Sequence, residues 1–267
     1  MAISPERERG NRPHAAAAAA PAPVRAVLFD FGDTLAHFGR IDRKTVFRRA
    51  AWRTYCLWAK QQRRMPGFRR YYLHQWFAMH WGLFKLAILG REIDARYLLR
   101  RSARKLWLHG DDRFFEKLIW HWYRPLADRA TLEPGTFETL SGLREAGYEL
   151  GLVSNTFVPS EAMDRHLKQL GLIDLFPTRV YSCDVGYRKP DRRIFDIALQ
   201  RMGVRADEAV FVGDMVKADV RGAQGAGLKA IWRKPDHSPR PRRPREPDAS
   251  IDSIHDLPAT LQRLQPA

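Results

Sequence analysis

The stretch "DFGDTL", Asp30 to Leu35, follows the apolar run Val27-Leu28-Phe29 and sets two carboxylates around a glycine. An apolar run that stops at an acid reads as a buried strand carrying a polar group at its carboxyl end, here a strand over 24–29. Downstream the pattern alternates. A helix is predicted around 136–146, then a strand from Tyr148 to Val153, a helix around 160–170 and a strand from Thr178 to Ser182. A helix at about 191–202, the strand Ala209 to Val212, a helix near 217–226 and the strand Leu228 to Trp232 follow. After a Pro- and Arg-rich loop over 234–247, one more strand and helix are predicted near 249–264. Strands alternating with helices at this spacing predict an α/β fold with a doubly wound, Rossmann-like parallel-sheet core covered on both faces.

Residues 36–130 break the alternation. Phe114, Phe115, Leu118, Ile119, Trp122 and Tyr123 recur at helical spacing, and 44–60 and 92–108 carry looser helical stripes. The expected organisation is a core formed by 25–35 and 131–267, with an inserted α-helical cap over 36–130. The chain's charge is concentrated in that insertion. Lys and Arg outnumber Asp and Glu by 15 over 36–130, against a net charge of +16 for all 267 residues. The same segment holds Trp52, Trp58, Trp76, Trp81, Trp107, Trp120 and Trp122, which are expected to pack inside the cap because aromatic side chains dominate small cores.

Residues 1–24 mix Pro, Arg and Glu with an alanine run and are expected to be a disordered tail. Glu6 and Glu8 stand where a signal peptide would be basic, so a cytoplasmic location is expected. Cys56 and Cys183 are too far apart in sequence to suggest a disulfide framework or a zinc site. The histidines at 37, 74, 80, 109 and 121 form no i, i+4 ligand pair. The run 71–90 is apolar with Lys85 as its one charge, flanked by Arg69, Arg70 and Arg91. A span there would separate Asp30 from the downstream polar groups, so it reads as a buried or interfacial cap helix. Weak peripheral contact with anionic lipid is one expectation for it. No nucleic-acid motif is visible, and no specific nucleic-acid partner is expected.

In open parallel sheets, ligands bind beyond the carboxyl ends of the strands. The polar residues collected there are Asp30 and Asp33, then Ser154 and Asn155, Lys189 in "GYRKPD", and Asp214 and Asp219 in "VGDMVKAD". Carboxylates able to hold a hard cation, a lysine and a small hydroxyl make a set suited to phosphoryl transfer. In this order the motifs resemble those of the haloacid dehalogenase (HAD) superfamily, in its helical-cap group, over about 26–232. The resemblance implies Asp30 as the nucleophile that becomes an aspartyl-phosphate. It implies a magnesium ion held by Asp30, the main-chain carbonyl of Gly32 and Asp214, with Asp219 close by. Ser154, Asn155 and Lys189 would bind the phosphoryl oxygens, Ser154 by its hydroxyl and Lys189 by its charge, with main-chain amides near Phe31 and Asn155 assisting.

One position departs from the pattern. Phosphatases of this family carry a second Asp two residues after the nucleophile as general acid and base, and here that residue is Gly32. Asp33 is one residue further on and points elsewhere, so it is read as bracing the loop. The expected activity is a magnesium-dependent phosphatase acting on a small phosphate ester. The alternative is a catalytically weak relative whose basic, aromatic cap binds a membrane surface, nucleic acid or an acidic partner. A 2-haloacid dehalogenase is a third reading, opposed by Gly213-Asp214, since dehalogenases of the family need no magnesium.

Overall fold

Strand β1, Ala26–Phe29, is apolar throughout and buried along its whole length, as a strand covered on both sheet faces must be. The chain then turns through Asp30–Leu35 into the two-residue strand β2, Ala36–His37, and leaves the sheet. It passes through helices α1 (Arg43–Gln61), α2 (Phe68–Leu89), α3 (Ala95–Lys105) and α4 (Asp112–Ala127). Asp42, Asp94 and Asp111 begin α1, α3 and α4, each accepting from a main-chain N–H of the first turn. Strand β3, Thr131–Leu132, pairs antiparallel with β2, so entry and exit of the insertion share one narrow neck.

The rest follows the alternation: α5 (Thr136–Glu145), β4 (Glu149–Ser154), α6 (Ser160–Gln169), β5 (Thr178–Tyr181) and the short α7 (Ser182–Val185). Then come α8 (Arg192–Met202), β6 (Ala209–Gly213), α9 (Arg221–Ala226), β7 (Lys229–Arg233), β8 (Ala249–Ile251) and α10 (Leu257–Leu264). The six-stranded sheet has the order β5-β4-β1-β6-β7-β8 and is parallel throughout. This computed structural model describes residues 22–89, 92–235 and 246–266. The expected tail over 1–24 lies outside the described residues as far as 21, but Val24 is buried and its N–H donates to Gln265 Oε1 at 2.8 Å. Most of the expected 234–247 loop likewise lies outside them.

The insertion has an aromatic core. Trp58 packs against Phe114 with ring centroids 4.3 Å apart, and Tyr71, Leu118, Ile119 and Trp122 complete it. The expectation that all seven tryptophans pack inside is corrected: Trp52, Trp81 and Trp107 are 52%, 53% and 80% exposed. Helical spacing leaves only one arc of each helix facing its neighbours, and Trp52 and Trp81 fall outside those arcs, while Trp107 lies in the turn after α3 with φ 58°. The insertion meets the sheet domain through α4 and α6, where Tyr123 Oη lies 2.9 Å from His166 Nδ1. No helix among the described residues is long and apolar enough to cross a membrane.

Candidate active site

Strand β1 lies between β4 and β6, and the connections run outward from it in opposite directions, so its carboxyl end is the topological switch point of the sheet. Asp30 is the first residue beyond β1, and its N–H donates to Val212 O at 2.9 Å, which fixes it to β6. Ser154 ends β4 and is buried, while Asp214 directly follows β6. Lys189 reaches the same point from the loop before α8, with its ammonium 2.8 Å from Asp30 Oδ1 and 2.7 Å from Asp219 Oδ1. All the residues expected at the site therefore meet in one cleft, which Gly32 and Asp33 also line.

Asn155 is placed differently from a simple anion donor. Its side-chain Nδ2 donates to Lys189 O at 2.9 Å and its Oδ1 accepts from Lys189 N at 2.8 Å, so the amide clamps the lysine main chain on both sides. Asp33 adopts φ 56°, and its N–H donates to Ala36 O at 2.8 Å. Its carboxyl is exposed, and the brace it supplies comes from the backbone.

Asp219 sits in a π-helical turn, Val216–Val220, where sequence spacing predicts ordinary helix. The turn folds the Asp219 carboxyl back over Gly213, and its Oδ2 accepts from Met215 N at 2.8 Å. A Cβ at Gly213 would collide with the Asp219 Cβ and carboxyl group. Gly213→Ala is therefore expected to cost roughly 1–3 kcal/mol through overpacking. Denaturant unfolding measures this, and an unchanged midpoint would contradict the close approach.

Three further residues complete the site without having been singled out in the sequence. Thr34, fully buried, donates its hydroxyl to Asp214 Oδ1 at 3.3 Å. Trp232 Nε1 donates to Asp214 O at 2.8 Å, and Lys189 Nζ lies 4.8 Å above the Phe211 ring. The one signal for Trp232 was its place at a strand end, the rule that found the other residues.

The electrostatics favour a cation. Carboxylate oxygens of Asp30, Asp214 and Asp219 lie within 4.8 Å of one another, and the Lys189 ammonium pairs with Asp30 and Asp219. Asp219 Oδ1 is buried and receives no well-directed hydrogen bond, although Lys189 is in contact. Burial raises Asp30 to about 6 against the pull of Lys189, with Asp219 adding to the rise. Burial, then Asp30 and Asp219, raise Asp214 to about 7. Burial alone would lower Lys189, but the two carboxylates outweigh it and hold its pKa above the ordinary range. Oxygen donors with excess negative charge fit a hard divalent ion such as magnesium.

The sign of the pH effect follows. Carboxyls raised in the folded state bind more protons there than when unfolded, so the stability they contribute is lost as pH rises through about 6 and 7. Because cation binding needs both groups deprotonated, magnesium is expected to raise the melting temperature more at about pH 8 than at about pH 6. Thermal melts with and without magnesium across that range measure it, and a shift independent of pH would contradict the assignment.

The sequence profile of haloacid dehalogenase-like hydrolases matches residues 24–227, most of the chain. The chain belongs to that family. Among curated members, a glyceraldehyde 3-phosphate phosphatase of Methanothermobacter thermautotrophicus is 40% identical over 98 residues, 37% of this chain and 42% of that protein. The chain spans about half the length of the curated relatives it matches. Solved family structures align over nearly the whole fold. A HAD phosphatase from Thermococcus onnurineus has 25% identity and a TM-score of 0.56, covering 89% of this chain and 98% of its own. A 2-haloacid dehalogenase from Pseudomonas syringae pv. Tomato has 27% identity and a TM-score of 0.62, covering 90% and 99%.

Proposed function

We propose that the chain is a magnesium-dependent phosphatase that hydrolyses a small phosphate ester through an aspartyl-phosphate on Asp30, with the helical insertion as its cap. The observation that carries this reading is the three-carboxylate cluster, with Lys189 2.8 Å from Asp30, lining a cleft of about 300 Å³. Its curated relatives named as phosphatases support the same chemistry.

In this mechanism an Asp30 carboxylate oxygen attacks phosphorus, the ester P–O bond breaks, and its electron pair leaves with the substrate oxygen. Lys189 holds Asp30 ionised and offsets the charge of the phosphoryl oxygens. Ser154 donates its hydroxyl to one of them. The side chain of Asn155 is committed to Lys189, so its contribution to the anion is its main-chain N–H. Asp30, the Gly32 carbonyl and Asp214, with Asp219 beside them, would hold a magnesium ion, which when bound would supply charge neutralisation at the phosphate. Water then hydrolyses the acyl phosphate and restores Asp30.

The proton for the leaving oxygen has no carboxyl at position 32. Tyr123 lines the cleft, but its hydroxyl is bonded to His166 and burial raises its pKa, which makes it a poor acid. Substrates whose leaving oxygen needs little protonation are therefore favoured, and aryl phosphates should turn over much faster than alkyl phosphates. Hydrolysis of an aryl phosphate with and without magnesium tests the proposal, with halide release from a 2-haloacid in parallel. Turnover that ignores magnesium, or halide release in its absence, would overturn it. No turnover on any phosphate would favour the binding role that the missing acid at Gly32 leaves open.

A further inference from the structure

Helix α2 carries no acidic residue and is apolar almost all round. Such a helix is expected to be buried on every side. Instead it packs on α1 and α3 through Tyr71, Gln75, Met79 and Gly82 and leaves its opposite face open. On that face Leu73, Phe77, Trp81, Phe84 and Ile88 are 38%, 67%, 53%, 52% and 63% exposed. At the helical turn of about 100° per residue these five fall within an arc of roughly 80°, forming one stripe about 22 Å long.

The stripe is bordered by positive charge. Arg69 and Arg70 line a hollow of about 460 Å³ beside Leu73 and Phe77. Arg101 and Lys105 of α3 line a groove of about 610 Å³ beside Phe77, Trp81 and Phe84. Lys85 Nζ lies over the Trp81 ring, 5.5 Å from its centre, which adds a further positive charge beside the stripe. Among the described residues, none of α2 lines the catalytic cleft.

We propose that this face of α2 docks flat on an anionic lipid bilayer, with its aromatic side chains among the acyl chains and its basic border at the headgroups. An apolar stripe with a cationic rim needs a partner that is hydrocarbon in the middle and negative at the edges. A second copy of the chain would oppose two basic rims, and a nucleic acid would leave the stripe in water. The inner face of α2, packed in the insertion, holds the helix at the interface. Attachment leaves the cleft open, so the docking is independent of the catalytic reading.

Flotation of the full chain with phosphatidylcholine vesicles, with and without phosphatidylserine, tests it at low and high salt. The protein is expected to float only with the phosphatidylserine vesicles, and less as salt rises. The double variant Phe84→Gln, Ile88→Gln is expected to bind roughly tenfold more weakly or worse, through lost apolar burial. The pair Arg69→Glu, Arg70→Glu should also fall by about tenfold or more, through lost attraction to the anionic surface. Unchanged melting curves and phosphatase activity of the variants separate docking from folding. Failure of the wild-type chain to float, or flotation unaffected by the two pairs, would overturn the proposal. So would a concentration-dependent dimer that Phe84→Gln disperses, because a second copy would then cover the face.

Discussion

Gly32→Asp is expected to raise kcat/KM on alkyl phosphates by roughly 10²–10⁴-fold, the usual value of a positioned general acid and base. The position can take the side chain. Gly32 is not in the left-handed region, and a Cβ there would meet only Phe38 Cε2, at the ordinary contact distance of 3.7 Å. Gly32 lines the same cleft as Asp30 and Ser154, so the new carboxyl would face the leaving group. Aryl phosphates, whose oxygens leave without a proton, should gain far less. Gly32→Asn has nearly the same shape and no titratable proton, and it should gain nothing. Equal rates for the Asp and Asn variants on alkyl phosphates would show that the proton comes from another group.

Asp30→Asn should reduce phosphate hydrolysis by roughly 10⁴–10⁶-fold, the scale seen when an enzyme loses its nucleophile. The amide keeps the side chain's shape but cannot form the acyl phosphate. Stability is expected to move the other way. Because burial raises the Asp30 pKa to about 6, its charge at higher pH is unfavourable in the metal-free fold, and Lys189 keeps Asp219 as a partner. The metal-free variant should therefore melt no lower than the wild type at about pH 8. Residual magnesium-dependent turnover within tenfold of the wild type would remove Asp30 from the nucleophile's role. A large fall in melting temperature would instead show that the Asp30 charge holds the fold together.

The sheet was legible because strands buried on both faces read as continuous apolar runs, with a polar residue ending β4 and directly following β1 and β6. That one rule collected Asp30, Ser154, Lys189, Asp214 and Asp219, and the family resemblance supplied the roles expected of them. The helical insertion and its basic, aromatic composition were equally plain. Tertiary structure decided what depends on residues distant in sequence, such as Thr34 against Asp214, Trp232 against the Asp214 carbonyl, and Asn155 clamping Lys189. Their hydrogen bonds exist only once separate strands are brought side by side. The π-helical turn at Asp219 also escaped local patterns, since it arises where the chain folds back over Gly213. On α2, apolar residues on all sides erase the periodic signal that would show which face is covered. Only packing against α1 and α3 selects the buried face and leaves Phe77, Trp81 and Phe84 outside.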